Sequence, residues 1–157
     1  MTLQSFQDDQ RFAANCTALL QSAGITVTIG YDFDSYRKIL GKARPDHVLG
    51  MPFDPELHTL TQRNAFWVIG HNSKGEVMHT QAMRLLDLQG ANLAEYMRCS
   101  YKDFPPPGVD IDLQRSRYRP GPGAHRISGQ VCYHGEFWVG TTPREFRNVG
   151  LSSVLGR

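Results

Sequence analysis

The tetrapeptide Asn72-Ser73-Lys74-Gly75 constrains this chain more than any other feature. It separates an apolar run, Ala65 to Gly70, from a second run between Glu76 and about Leu88. In that second run Val77, His79 and Gln81 alternate with Met78, Thr80 and Ala82. Asn and Gly suit a tight turn between strands, and alternation with a period of two marks a half-buried strand. The spacing therefore predicts an antiparallel hairpin and commits part of the chain to a sheet.

The flanking segments alternate between helical and extended patterns. From Leu3 to about Ser22, Phe6, Phe12, Ala13, Cys16, Leu19 and Leu20 recur near spacings of three and four, which predicts a helix with one inward stripe. Gly24 ends it. Ile25 to Gly30 reads as a strand, with Ile25, Val27 and Ile29 on one face. Asp34 or Ser35 is placed to cap a second helix to about Ala43, with Tyr36, Ile39 and Leu40 inward and Pro45 as the stop. Between 44 and 63, Pro45, Pro52 and Pro55 favour an irregular connection with a short helix near Glu56 to Gln62. Ala91 to Arg98 is a further short helix. Residues 100–129 carry two Pro/Gly clusters and read as a long loop holding Arg115, Arg117, Arg119, His125 and Arg126. A strand resumes from Gln130 to Val139, and Val149, Leu151, Val154 and Leu155 fit one face of a final helix.

With 157 residues the chain suits one domain, and no linker or internal repeat divides it. A net charge of +2 gives no argument for nucleic acid or an anionic membrane surface as partner. No apolar run reaches the roughly 20 residues of a membrane span. The start, Met1 to Asp9, lacks a signal-like pattern. Cys16, Cys99 and Cys132 are an odd number outside any CxxC spacing, which points to a reduced, cytoplasmic protein with no metal. A second copy of the chain, as a homodimer, is an admissible partner.

The chemistry concentrates near the end. A strand, a turn with small residues and a helix start present backbone N–H groups that have no partner within the helix, together with the positive end of its dipole. Such a device holds a diphosphate. Gly150 and Ser152 keep the approach open, and Arg147 and Arg144 supply charge to phosphate oxygens.

Arg147-Asn148-Val149-Gly150-Leu151-Ser152 resembles the Q/R-x-x-G-x-G/A motif of the GNAT N-acetyltransferase superfamily, the signature of its acyl-CoA pyrophosphate site. Glu136-Phe137-Trp138-Val139 looks like that family's central strand, and Thr142 to Arg147 like its connecting turn. The hairpin, the strand at 25–30 and the helix at 34–43 follow the family's order. Ser152 replaces the last Gly or Ala, and Asn148 stands where a second Gly is common. The resemblance implies an α/β chain of the α+β kind. Its sheet is mixed, mostly antiparallel and flanked by helices, and the C-terminal strands are missing. The 157 residues are then a single GNAT-like domain that is incomplete at its C-terminus.

It also implies transfer of an acetyl group from acetyl-CoA to a primary amine, on a small molecule or a peptide. Trp138, Val139, Arg144, Arg147, Asn148, Val149, Gly150, Leu151 and Ser152 would hold the donor. A backbone N–H near Trp138 or Val139 would meet the thioester carbonyl. Glu136 is the first choice of catalytic base, with His134 two residues earlier on the same face and Tyr133 a weaker choice. The plainer alternatives are a solvated Glu136, a packing His134, core roles for Phe137 and Trp138, and a small buried Cys132. Arg84 and Asp87 look like a surface ion pair.

Two other functions fit the same residues. The order Phe66-Trp67-Val68-Ile69, Gly75-Glu76-Val77, Met83-Arg84-Leu85-Leu86-Asp87 and Phe104-Pro105 resembles acyl-homoserine-lactone synthases, which share the fold. A non-catalytic GNAT-like module for CoA binding or assembly is the third reading.

Overall fold

The computed structural model describes residues 3–105 and 110–140. The helix expected after Val149 and the turn around Arg147 lie outside these residues. The described chain is an α+β protein with a four-stranded antiparallel sheet and helices. Its elements are α1 (Leu3–Ser22), β1 (Thr26–Gly30), α2 (Phe33–Ala43), β2 (Ala65–His71), β3 (Val77–Asn92), α3 (Leu93–Ser100) and β4 (Ser128–Val139). Short 3-10 turns occupy Met51–Phe53, Tyr101–Asp103 and Pro122–Arg126. The sheet order follows the chain, β1-β2-β3-β4.

The hairpin forms where the turn residues place it. Asn72 N–H donates to the Glu76 carbonyl, Gly75 N–H donates to the Asn72 carbonyl, and Gly75 takes φ 79°. The Asn72 side-chain oxygen also accepts from Lys74 N–H and Glu76 N–H, which fixes the turn from inside. Further along, Leu85 N–H donates to the Asn64 carbonyl.

The described residues fall into two compact units. The first holds residues 3–29, 68–80 and 137–140, and the second holds Gly30–Trp67 and Gln81–Glu136.

In the first unit Leu20 and Ile25 are buried, with Ala23 and Val27 packed against them. The stripe predicted along α1 is not a fully inward face. Phe12 is 51% exposed and Leu19 47%, while Leu20 is buried. Ile29 likewise departs from the inner face expected of β1, at 58% exposed. β1 is the end strand of the order, so it has a strand neighbour on one side only.

The second unit is organised by aromatic rings. Phe33 stacks on Phe53 with centroids 5.9 Å apart, and Tyr36 stacks on Trp67 at 5.5 Å. Phe33 meets Tyr36 edge-on at 5.8 Å. α2 delivers two of these rings, and Phe33, Tyr36 and Leu40 fall on one helical face and are all buried. Its cap is Asp32 rather than Asp34 or Ser35. The Asp32 carboxylate accepts from the N–H groups of Asp34 and Ser35, and the Asp32 carbonyl accepts from the Trp67 indole at 2.9 Å. A Cβ at Gly30 would come within 2.0 Å of the Trp67 ring, so only glycine fits where the chain passes that ring.

The helix expected over Glu56 to Gln62 is not formed. Side chains capture the backbone there instead. Asp54 accepts from Glu56 N–H at 2.9 Å, Asn64 accepts from Thr61 N–H, and the Asn64 amide donates to the Thr59 carbonyl. Such local bonds compete with a helical ladder. α3 does form, capped reciprocally by Asn92 and Glu95. Past it, the Tyr101 hydroxyl reaches the carbonyls of Leu113 and Ser116 and ties down part of the long loop.

Candidate functional site

The clearest chemical constellation is built by Glu136 near the end of β4. Its side chain is 5% exposed and 2.6 Å from His47 Nε2, and His47 is 19% exposed. The second carboxylate oxygen accepts from Gly50 N–H at 2.9 Å. Both oxygens are therefore engaged, one by an imidazole and one by the main chain. The solvated strand residue that the sequence also allowed is overturned by this burial.

A backbone exception makes the arrangement. Glu136 has φ 56°, in the left-handed region that a residue with a Cβ seldom occupies. The preceding Gly135 packs against Phe53, since a Cβ there would lie 2.6 Å from that ring. Tyr133 meets the same ring at 5.7 Å. In an unbroken strand 133 and 135 share a face and 136 points the other way. The positive φ turns Glu136 toward the segment that Tyr133 and Gly135 already face, as a bulge does. Holding such a conformation costs on the order of 1–3 kcal/mol, and outliers of this kind cluster at functional sites.

The same break separates Glu136 from His134. The sequence placed them on one face, and the structure does not. His134 Nε2 lies 3.1 Å from the Gln81 side-chain oxygen. Arg84, three residues along β3 from Gln81 and so on the opposite face, donates to the Pro52 carbonyl at 3.0 Å. That contact also corrects the expected Arg84–Asp87 surface pair, because Asp87 instead accepts from Gln89 N–H.

Charges around Glu136 are balanced by opposed effects. Burial lowers the Arg44 pKa, against the pull of Glu136 and Tyr36. Burial raises the Tyr133 phenol above its ordinary range, and the Glu136 charge adds to the rise. Beside the pair lies a groove of about 300 Å³, lined by His47 with Leu40, Val48, Leu49, Arg37 and Asp54. Arg37 is held there by Asp54 and by Glu56, the latter at 2.8 Å. The arrangement can orient an imidazole and present it at a largely apolar groove.

Of the residues expected to hold the donor, Trp138 and Val139 are described, both in the first unit. Gly140 N–H donates to the Met78 carbonyl at 2.8 Å. Amides alternate in direction along a strand, so the Val139 N–H points away from β3 whereas that of Trp138 points toward it. Of the two proposed oxyanion donors, Val139 is the one aimed away from the ladder. The Trp138 carbonyl lies 2.8 Å from His79 Nδ1. Arg144, Arg147, Asn148, Val149, Gly150, Leu151 and Ser152 lie outside the described residues.

Cys132 is exposed rather than buried, and the three cysteines are unbonded to one another. Among the described residues no group of His, Cys, Asp and Glu has metal-site geometry. No described helix is long and apolar enough to cross a membrane.

Sequence reasoning found Glu136 but missed His47 and Gly50. They come from the proline-containing connection, 89 and 86 residues away. The His-Val-Leu-Gly string has no distinguishing pattern, so only the tertiary contact exposes it. No family model, curated protein or solved structure matches this chain.

Proposed function

We propose that this chain is a GNAT-like N-acyltransferase that moves an acetyl group from acetyl-CoA to a primary amine. The observation that carries the reading is the buried Glu136 carboxylate, held in a left-handed conformation against His47 and Gly50 N–H. The four-stranded antiparallel sheet and the order of its elements support it. So does the Arg147–Ser152 string, by its resemblance to a pyrophosphate turn.

In this reading Glu136 is a positioning residue and His47 is the base. The amine nitrogen attacks the thioester carbonyl and its surplus proton passes to His47. Glu136 orients the imidazole, and Gly50 N–H keeps the carboxylate aligned. Collapse of the adduct breaks the carbon–sulfur bond. The amide leaves, and the CoA sulfur takes the proton back from His47 to depart as thiol.

Thiol release from acetyl-CoA with an amine panel tests the proposal. His47→Gln and Glu136→Gln are each expected to lower kcat by about 10²- to 10⁴-fold, the usual contribution of a positioned proton acceptor. Arg147→Ala is expected to weaken acetyl-CoA binding. Turnover indifferent to both substitutions, or no acetyl-CoA binding at all, removes the reading.

A second reading keeps acyl transfer but changes the donor, as in acyl-homoserine-lactone synthases. Arg84 and Phe104, which carry that resemblance, are both built into the second unit. Arg84 bonds the Pro52 carbonyl, and Phe104 meets Tyr133 edge-on at 4.9 Å. Preference for an acyl-carrier-protein donor over CoA distinguishes it.

A further inference from the structure

α2 carries one glycine that neither its backbone nor its packing explains. Gly41 lies in the last turn of the helix and keeps an ordinary φ, so the left-handed freedom of glycine is not in use there. A Cβ added at Gly41 would meet nothing within 4 Å. Gly30 and Gly135 of the same unit differ, because a Cβ at either would strike the ring of Trp67 or Phe53. Inside a helix glycine is the least favourable residue after proline, so its presence at an open position calls for another reason.

What stands open at Gly41 is the groove beside His47. Arg37 precedes Gly41 by four residues, so the two share one side of α2, and both line the groove with Leu40. The rest of the lining comes from His47, Val48, Leu49 and Asp54. Its charges are satisfied internally. The Arg37 guanidinium is bonded to Asp54 and, at 2.8 Å, to Glu56. His47 Nε2 is engaged by Glu136 at 2.6 Å, which leaves Nδ1 as the ring nitrogen for a ligand. Val48, at 86% exposed, adds apolar surface that the protein itself does not cover. A group entering here is therefore held by removing apolar surface from water rather than by an ion pair.

We propose that Gly41 is a specificity-determining residue. By presenting no side chain it keeps open a subsite for an uncharged apolar substituent on the acyl acceptor, and it sets how long that substituent can be. The assignment rests on the acyltransferase reading above for the identity of the molecule, an amine whose nitrogen lies at His47. The subsite itself rests on the groove and the glycine.

A graded series of primary n-alkylamines, from ethylamine to octylamine, tests this on the whole chain by calorimetry and by thiol release from acetyl-CoA. With the unmodified protein each added methylene is expected to tighten binding about three- to four-fold until the groove is full. Gly41→Leu is expected to end that gain at a shorter chain and to raise KM for the longest amines by about 10- to 100-fold. The KM values of ethylamine and acetyl-CoA are expected to stay in place. Gly41→Ala is expected to act in the same direction by less. Both exchanges put a better helix former at the position, so the melting temperature is expected to hold or rise, which separates lost affinity from lost folding. A fall in melting temperature would show that the position is packed and would overturn the inference. Lys38→Leu, exposed on the same helix and outside the groove, is expected to change none of these values. Affinity that is flat with chain length overturns the subsite, and so does a chain-length gain that Gly41→Leu leaves untouched. If no amine is acylated, the acyltransferase reading fails by itself, while the calorimetric series still decides whether Gly41 bounds an apolar site.

Discussion

Two histidines sit in this molecule in opposite circumstances. His79, in the first unit, is 1% exposed, placed against the Trp138 carbonyl and edge-on to Phe137 at 5.3 Å. His47, in the second, remains partly exposed, faces a groove and is backed by a carboxylate. The first arrangement spends the ring on packing and on satisfying main chain. The second leaves an imidazole face available and holds its ring in place through a carboxylate. The same side chain is thus a structural filler in one unit and, in the reaction proposed, the base in the other, and its surroundings decide which.

The largest effects should come from exchanging the two roles. His79→Ala removes a fully buried ring and is expected to destabilise the protein by about 2–4 kcal/mol, read from denaturant unfolding. His47→Ala is expected to cost far less stability but to lower acyl transfer by about 10²-fold or more. The reverse outcome, a stable and inactive His79→Ala beside an active and unstable His47→Ala, would break the comparison.

A smaller contrast lies in the glycines that serve each site. At Gly135 an added Cβ meets the Phe53 ring at 2.6 Å, whereas at Gly70 it meets His79 Cβ at 3.2 Å and Ile25 Cγ2 at 3.3 Å. Gly135→Ala is expected to destabilise by about 1–3 kcal/mol and to disturb turnover by moving Glu136. Gly70→Ala should cost less and leave the pH profile of turnover in place. Equal costs would show that the Glu136 turn is no more tightly constrained than an ordinary strand position.

The smallest effect sharpens the comparison by titration. The His58 pKa is lowered, first by burial and then by Arg84. The unfolded chain therefore binds this proton more readily than the folded one. The contribution to stability is present above the ordinary histidine range, near pH 6.5, and is lost as pH falls through it. His58→Gln is expected to flatten that decline in melting temperature, and an unchanged decline would assign it to other groups.

Much of the framework was legible from the sequence because local chemistry decides it. The Asn72–Gly75 turn, the helix from Leu3 to Ser22 and the capped α3 depend on residues close in the chain. What misled was tertiary. Phe12 and Leu19 follow a helical stripe but remain exposed, and Glu56 to Gln62 lost a helix to Asp54, Thr61 and Asn64. At the site, Glu136 was visible as the carboxylate of its strand. His47 was not, because nothing in the neighbourhood of a proline-containing loop announces a partner 89 residues later. The sign of φ at Glu136 was equally hidden, since Glu has no preference for it and neighbouring packing imposes it.

The reach of that contact has a kinetic consequence. Closing a longer loop adds only about 0.6 kcal/mol for each doubling of its length, but it requires distant parts of the chain to be in place first. The hairpin at residues 65–92 depends on neighbours and can organise early, whereas the junction of His47 with Glu136 waits for β4. The chemistry proposed for the chain would thus depend on a contact that cannot form before β4 is in place.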